Sequence, residues 1–211
     1  MNSAPPPLPV APKPRTLLHG VILGGFCLGF GSLLAVTARV TKQDIALRAM
    51  EDRQASLSQV IPDGIHDNNL LRDTVTIKDA HDRAVTVYLA RMKGRLAALA
   101  YPISGTGYGG KIKLMLGVDT GGRILGVRVL SHHETPGMGD KIEVGKSNWI
   151  LRFTGLSIGN PPLHLWKVKK DGGQFDDFAG ATITPRAVVL AIRNGLEFFA
   201  ANKARLTGGK P

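Results

Sequence analysis

Residues 175–188, FDDFAGATITPRAV, set a run of small and hydroxyl side chains directly before a proline. Proline suits the first position of a helix, where its missing N–H leaves nothing unpaired and its φ is already helical. Thr184 is therefore expected to cap a helix that begins at Pro185, its hydroxyl turned to the free N–H groups of the first turn. Two roles fit that place. One is an ordinary cap. The other is an anion site, because unpaired N–H groups and the helix dipole favour a phosphate there, and a phosphate ester on Thr184 would lie in that field. Gly180 and Ala181 leave room for an enzyme or cofactor to approach.

Other chemistry is thinly supplied. Cys27 is the single cysteine and lies within an apolar run, which excludes cysteine catalysis, a Cys-ligated iron–sulfur cluster and a zinc finger. The rest of the chain is free of thiols and suits an oxidising compartment. His132 and His133 are adjacent and would point apart on a strand, so no metal site is expected. SGTGYGGK at 104–111 contains GxGxxG at Gly105, Gly107 and Gly110. A dinucleotide fingerprint needs a helix after it, and here a strand pattern follows. These glycines are read as a flexible connection, or as places where a flat group comes close to the backbone.

The elements that must position these residues follow from the hydropathy pattern. Leu17–Val36 is twenty residues without formal charge, long enough to cross a hydrocarbon core of roughly 30 Å as a helix. It exceeds the apolar stretch of a signal peptide, so a retained anchor is expected, although Val36–Ala38 would pass as a weak cleavage site. Charges on the two sides of the span do not decide its orientation. Gly20, Gly24, Gly25 and Gly29 make two GxxxG steps, either a helix-packing face or ordinary membrane-helix glycines. Before the span, MNSAPPPLPVAPKPR is too rich in proline to be helical. After it, 44–60 is helix-compatible, and a mixed segment with Pro62 and Gly64 follows.

From Ala84 the pattern shortens to AVTVYLAR, GRLAALAY, KIKLMLGVD and RILGVRVLS, four runs rich in Val, Leu and Ile, the last two joined by the hairpin signal DTGG. A helical stretch near Ser147–Phe153, a short strand at Leu165–Lys169 and a last helix from Pro185 to about Asn202 complete the pattern. The expected class is α+β on an antiparallel sheet. The formal charge is +11, from 27 Lys and Arg against 16 Asp and Glu. Such an excess suits an anionic lipid surface or an anionic cofactor. The basic residues are scattered and nucleic-acid motifs are absent, so nucleic acid is not an expected partner.

DDFAGATIT at 176–184 resembles the flavinylation motif of the FMN-binding domain family. There an aspartate, a small or hydroxyl residue, Gly-Ala-Thr and a final Thr precede a helix, and the final Thr carries FMN through a phosphoester made by a flavin transferase. The resemblance places Asp176 at the motif aspartate, Gly180, Ala181 and Thr182 at its centre, and Thr184 at the acceptor. Ala179 departs from the usual Ser or Thr. HHETPGMGDKIE at 132–143 is similar to the ETPGLG loop of the same family, which lies against the isoalloxazine. This implies polar contacts from Glu134 and Thr135, and cover from Gly137, Met138 and Gly139, with methionine a soft partner for a π surface. VKKDGG implies a cation near the flavin at Lys169.

With TITPRAVV at 182–189 and KKDGGQFDDF at 169–178, the chain looks more like the FMN subunits of the Rnf (Rsx) electron-transport complexes than like the related FMN subunits of the sodium-pumping NADH:quinone reductase. The resemblance implies a tail at 1–15, a transmembrane helix at 16–38, a membrane-proximal helix and connection at 39–83, a covalent FMN domain at 84–205 and a tail at 206–211. It also implies an FMN domain outside the cytoplasmic membrane and partnership with the other membrane and peripheral subunits. The implied work is electron relay between a low-potential carrier and NAD, linked to ion movement, with no catalysis by the chain alone.

Overall fold

No charge falls between Leu17 and Val36, and no glycine or proline between Ser32 and Ile61. One helix, α1 (Thr16–Ser58), runs through both stretches without the expected break near residue 38. The structure, a computed structural model, describes residues 16–79 and 82–207. The Pro-rich tail 1–15 and residues 208–211 of the C-terminal tail lie outside them. The described chain forms two compact units, divided between Met50 and Glu51. In the first, Leu18–Lys42 has a mean hydropathy of 2.0. Its apolar side chains, Leu23, Phe26, Leu28 and Leu34 among them, are exposed.

The second unit is built on five strands, β1 (Thr74–Lys78), β2 (Ala84–Met92), β3 (Arg95–Thr106), β4 (Lys111–Asp119) and β5 (Ile124–Ser131), paired antiparallel in chain order. The four expected runs are β2 to β5. The first strand, TVTIK, lies in the segment expected as a connection, and its alternation of β-branched residues is the signal that marks it. DTGG makes the β4–β5 turn. Asp119 Oδ1 accepts from the N–H groups of Gly121 and Arg123, both at 2.8 Å.

Both faces of the sheet are covered, which is why the inner strands read as near-continuous apolar runs. Leu89, Leu99, Tyr101, Leu114, Leu116 and Val118 face one core. Alternate residues Tyr88, Ala90, Ala98, Ala100 and Met115 face a second, closed by Leu57, Val60, Ile61 and Leu70. The first core is capped by α2 (Ile183–Leu206) and by an aromatic cluster. In that cluster Phe153 stacks on Phe175 at 4.6 Å between ring centroids, and Trp149 meets Phe178 edge-on at 5.2 Å. Tyr101 is fully buried and donates its phenolic hydrogen to the Gly195 carbonyl of α2 at 2.9 Å.

The helical stretch expected near Ser147–Phe153 is a 3-10 helix, Trp149–Phe153. The strand expected at Leu165–Lys169 does not form. Trp166 and Val168 are buried in the core, and the chain turns back at Gly172 with φ +79. Pairing there stops at a single bridge between Val168 and Phe175, flanked by the 3-10 helices Leu163–Leu165 and Lys169–Asp171.

Candidate functional site

The helix after the GATIT stretch begins earlier than expected. α2 starts at Ile183, Thr182 occupies the cap position, and no side chain caps it. The first intrahelical bond runs from the Arg186 N–H to the Thr182 carbonyl at 3.2 Å. Pro185 therefore still stands in the first turn, where its missing N–H leaves no gap. Thr184 is not the cap. Its hydroxyl does not accept from the first-turn amides: it donates to Oε2 of Glu134, 50 residues away in sequence, and Thr184 is fully buried.

That contact brings the two motifs together. Thr135, Pro136, Gly137 and Met138 form a type II turn, with Gly137 at φ +77 and the Met138 N–H donating to the Thr135 carbonyl at 3.1 Å. The same carbonyl accepts from the Gly139 N–H at 3.1 Å. Gly137 is thus required by the turn, with open space around it, rather than by a close approach. Gly139 is where close approach occurs: a Cβ there would lie 2.9 Å from the Thr184 hydroxyl oxygen and 2.9 Å from the Glu134 Cβ. Phe178 to Ala181 form a matching turn, closed by the Ala181 N–H on the Phe178 carbonyl at 2.9 Å, with Gly180 at φ +79. A Cβ on Gly180 would meet the Met138 methyl at 3.0 Å.

Glu134 is held from several directions. Its Oε1 accepts from the Gly109 N–H at 3.0 Å. Its own N–H donates to His132 Nδ1 at 3.0 Å, so His132 carries its proton on Nε2, which donates to Glu143 at 2.5 Å. A Cβ on Gly107 would collide with Glu134 Oε1, and one on Gly109 with the His133 carbonyl. The GxGxxG loop is therefore the β3–β4 hairpin, and its glycines admit a neighbouring protein segment. Sequence reasoning assigned no part to Gly109 or His132. Only the fold brings Gly109 to Glu134, whereas His132 lies two residues before it in sequence.

The remaining expected residues lie along the motif's flank. Asp176 is paired with both Lys169, at 2.5 Å, and Arg152. Its carbonyl accepts from the Trp149 indole N–H at 2.8 Å. Lys169 thus sits on Asp176, and Arg152 joins it with no sequence signal to announce it. Thr182 turns its hydroxyl to Asp177 at 3.5 Å. Thr135 enters through its backbone only, its side chain being exposed. Ala181 packs against the core.

Arg186, in α2, grips Asp171 with two bonds of 2.6 and 2.7 Å. The hydrogen bonds from Arg186 hold the Asp171 carboxyl below its ordinary range, and raise the guanidinium in turn. Among the described residues no group of three His, Cys, Asp or Glu could hold a metal.

The site can offer an oxygen nucleophile on Thr184, a carboxylate against it, and uncapped N–H groups at the positive end of a 24-residue helix. Exposed Tyr108, Met138 and Ile183 lie in the hairpin, the turn and the helix start.

A family model of the FMN-binding domain matches residues 107–197, and a model of the RnfG N-terminal region matches residues 13–60. The G subunit of the ion-translocating oxidoreductase complex of Cereibacter sphaeroides is 47% identical over 212 residues, covering 100% of this chain and 97% of its own. The chain belongs to the RnfG family. The corresponding G subunits of Stutzerimonas stutzeri and Vibrio vulnificus are 48% and 42% identical, over 89% of this chain in each case and 82% and 91% of their own. The crystal structure of Shewanella oneidensis NqrC is similar at 23% identity and a TM-score of 0.48, covering 70% of this chain and 74% of that one.

Proposed function

We propose that this RnfG chain is the membrane-anchored flavoprotein of an ion-translocating oxidoreductase complex, with FMN joined to Thr184 through a phosphoester made by a flavin transferase. The observation that carries the reading is the junction of the two motifs: the acceptor hydroxyl of GATIT meets Glu134 of ETPGMG and lies under Gly139. A plain cap would face the first-turn amides. This hydroxyl leaves them free, which suits a phosphate at that end of α2.

Thr184 would hold the phosphate, the Ile183 and Thr184 N–H groups would receive its oxygens, and Met138 with Tyr108 would flank the ring. When bound, the flavin supplies the electron-carrying chemistry, and the chain supplies binding, orientation and electrostatic tuning. Lys169, Arg152 and Arg186 place positive charge along the motif, although each is already paired with an aspartate. In the assembled complex the chain relays electrons between a low-potential carrier and NAD, and has no turnover of its own. Leu18–Lys42 crosses the cytoplasmic membrane and leaves the flavin domain on its outer side.

Intact-mass measurement of the full chain from a host with the flavin transferase is the test. The expected mass exceeds that of the polypeptide by one FMN less one water, with in-gel fluorescence that survives denaturation and maps to the Thr184 peptide. Flavin released by denaturant would refute covalent attachment. A reporter fused after Pro211 should be active outside the cytoplasmic membrane, and activity on the inside would reverse the orientation.

A further inference from the structure

In the flavin-free chain the acceptor oxygen of Thr184 is already hydrogen-bonded to a carboxylate, and both partners are buried, Glu134 at 5% exposure. A threonine hydroxyl is a poor nucleophile unless its proton has somewhere to go as the new bond forms, and a base in hydrogen-bond contact meets the geometric requirement. Glu134 is also fixed independently of the turn beside it. The Gly109 N–H of the β3–β4 hairpin holds one oxygen, His132 holds its backbone N–H, and Glu143 holds His132. None of these bonds involves Pro136–Gly139. What covers Thr184 is that turn, with the Gly139 backbone against the hydroxyl and the Met138 methyl over Gly180.

We propose that Glu134 is a catalytic residue of this chain's own flavinylation: it accepts the Thr184 hydroxyl proton during transfer, while the Pro136–Gly139 turn lifts to admit the donor. This rests on the reading of Thr184 as the FMN acceptor. The donor class is a flavin pyrophosphate such as FAD. The Thr184 oxygen attacks the flavin-side phosphorus, and a new P–O bond forms. The pyrophosphate P–O bond breaks and its electron pair leaves with adenosine monophosphate. The threonine proton passes to Glu134 Oε2. No oxidation or reduction occurs. The protonated carboxyl can then donate a hydrogen bond where the carboxylate would have repelled the ester phosphate. Both oxygens of Glu134 act as acceptors before transfer, one from Gly109 and one from Thr184.

The test uses the full chain, made without flavin transferase and held in detergent, then incubated with purified transferase, FAD and Mg²⁺, with covalent fluorescence followed against time. Glu134→Gln should slow labelling by about 100-fold or more, the usual contribution of a positioned base. Terms belonging to the transferase cancel in the ratio of wild-type to variant rates. Glu134→Asp, which keeps the carboxylate on a shorter arm, should restore part of the rate. Circular dichroism of each flavin-free variant reports folding. Glu134→Gln labelling within about threefold of wild type would overturn the proposal. Should Glu134→Gln fail to fold, a folded Glu134→Asp that labels no faster than background would overturn it. Labelling that persists in Thr184→Ala would overturn instead the acceptor assignment beneath it.

Discussion

Thr184→Val isolates the contact on which the site is built. Valine keeps the shape of threonine and its β-branch but removes the donor, so packing is preserved while Oε2 of Glu134 loses its hydrogen bond. The carboxylate is 5% exposed, and water does not readily replace the lost partner. A hydrogen bond to a charged group is worth about 1.5–3 kcal/mol. A domain of this size shifts its melting temperature by roughly 2–4 °C per kcal/mol. Thr184→Val should therefore lower the melting temperature of the flavin-free full chain by about 3–12 °C, measured by circular dichroism in detergent. An ordinary cap loss would fall mostly in a lower range, about 0.5–2 kcal/mol. The sharper discriminator is coupling. Combined with Glu134→Ala, the second change should add far less than it does alone, because each removes the same bond, with an interaction energy of about 1–2 kcal/mol. Strict additivity, or a shift under about 1 °C for Thr184→Val, would refute the Thr184–Glu134 bond as a stabilising contact.

Two further changes test the frame that holds the site. Burial pushes the Tyr101 phenol well above its ordinary value of about 10, so the folded state keeps a proton that the unfolded chain gives up. Its contribution to stability is complete below pH ~10 and declines by about 1.4 kcal/mol per pH unit above it. Tyr101→Phe should cost about 1 kcal/mol at neutral pH through the lost bond to Gly195 and flatten the alkaline decline in urea titrations; an unchanged alkaline slope would contradict this. Gly105→Ala would bring a Cβ to 2.6 Å from the Ala187 carbonyl oxygen where α2 crosses β3, so overpacking should destabilise by about 1–3 kcal/mol. A neutral urea midpoint would show that α2 can move off the sheet.

Local pattern makes the frame readable. Apolar runs rich in Val, Leu and Ile announce β2 to β5, and DTGG joins two of them, because hairpin chemistry is written in adjacent residues. Short or tertiary features are less readable. β1 has only five residues, with one buried side chain, and Leu165–Lys169 is claimed by the aromatic core before it can pair along its length. The start of α2 is displaced from its expected place for a related reason. Proline at 185 fits the first position of a helix and also any later place in the first turn whose N–H has no intrahelical partner.

The acceptor itself is legible and its partner is not. GATIT and ETPGMG each carry a glycine turn that a reader can recognise, and together they suggest which residues meet a flavin. Nothing local states that Glu134 meets Thr184 directly, or that the Gly109 N–H holds the other carboxylate oxygen. Those contacts arise because β3, β4 and β5 deliver the hairpin and the loop after β5 to the same end of the sheet, where α2 begins. A bond that spans 50 residues is a property of that topology. The same topology gives Gly109 a part that its place in a misleading GxGxxG pattern conceals: its amide pins one oxygen of Glu134 and leaves the other for Thr184. Replacement of Gly109 by any larger residue would drive a Cβ into the His133 carbonyl, moving the carboxylate off the acceptor without touching either motif.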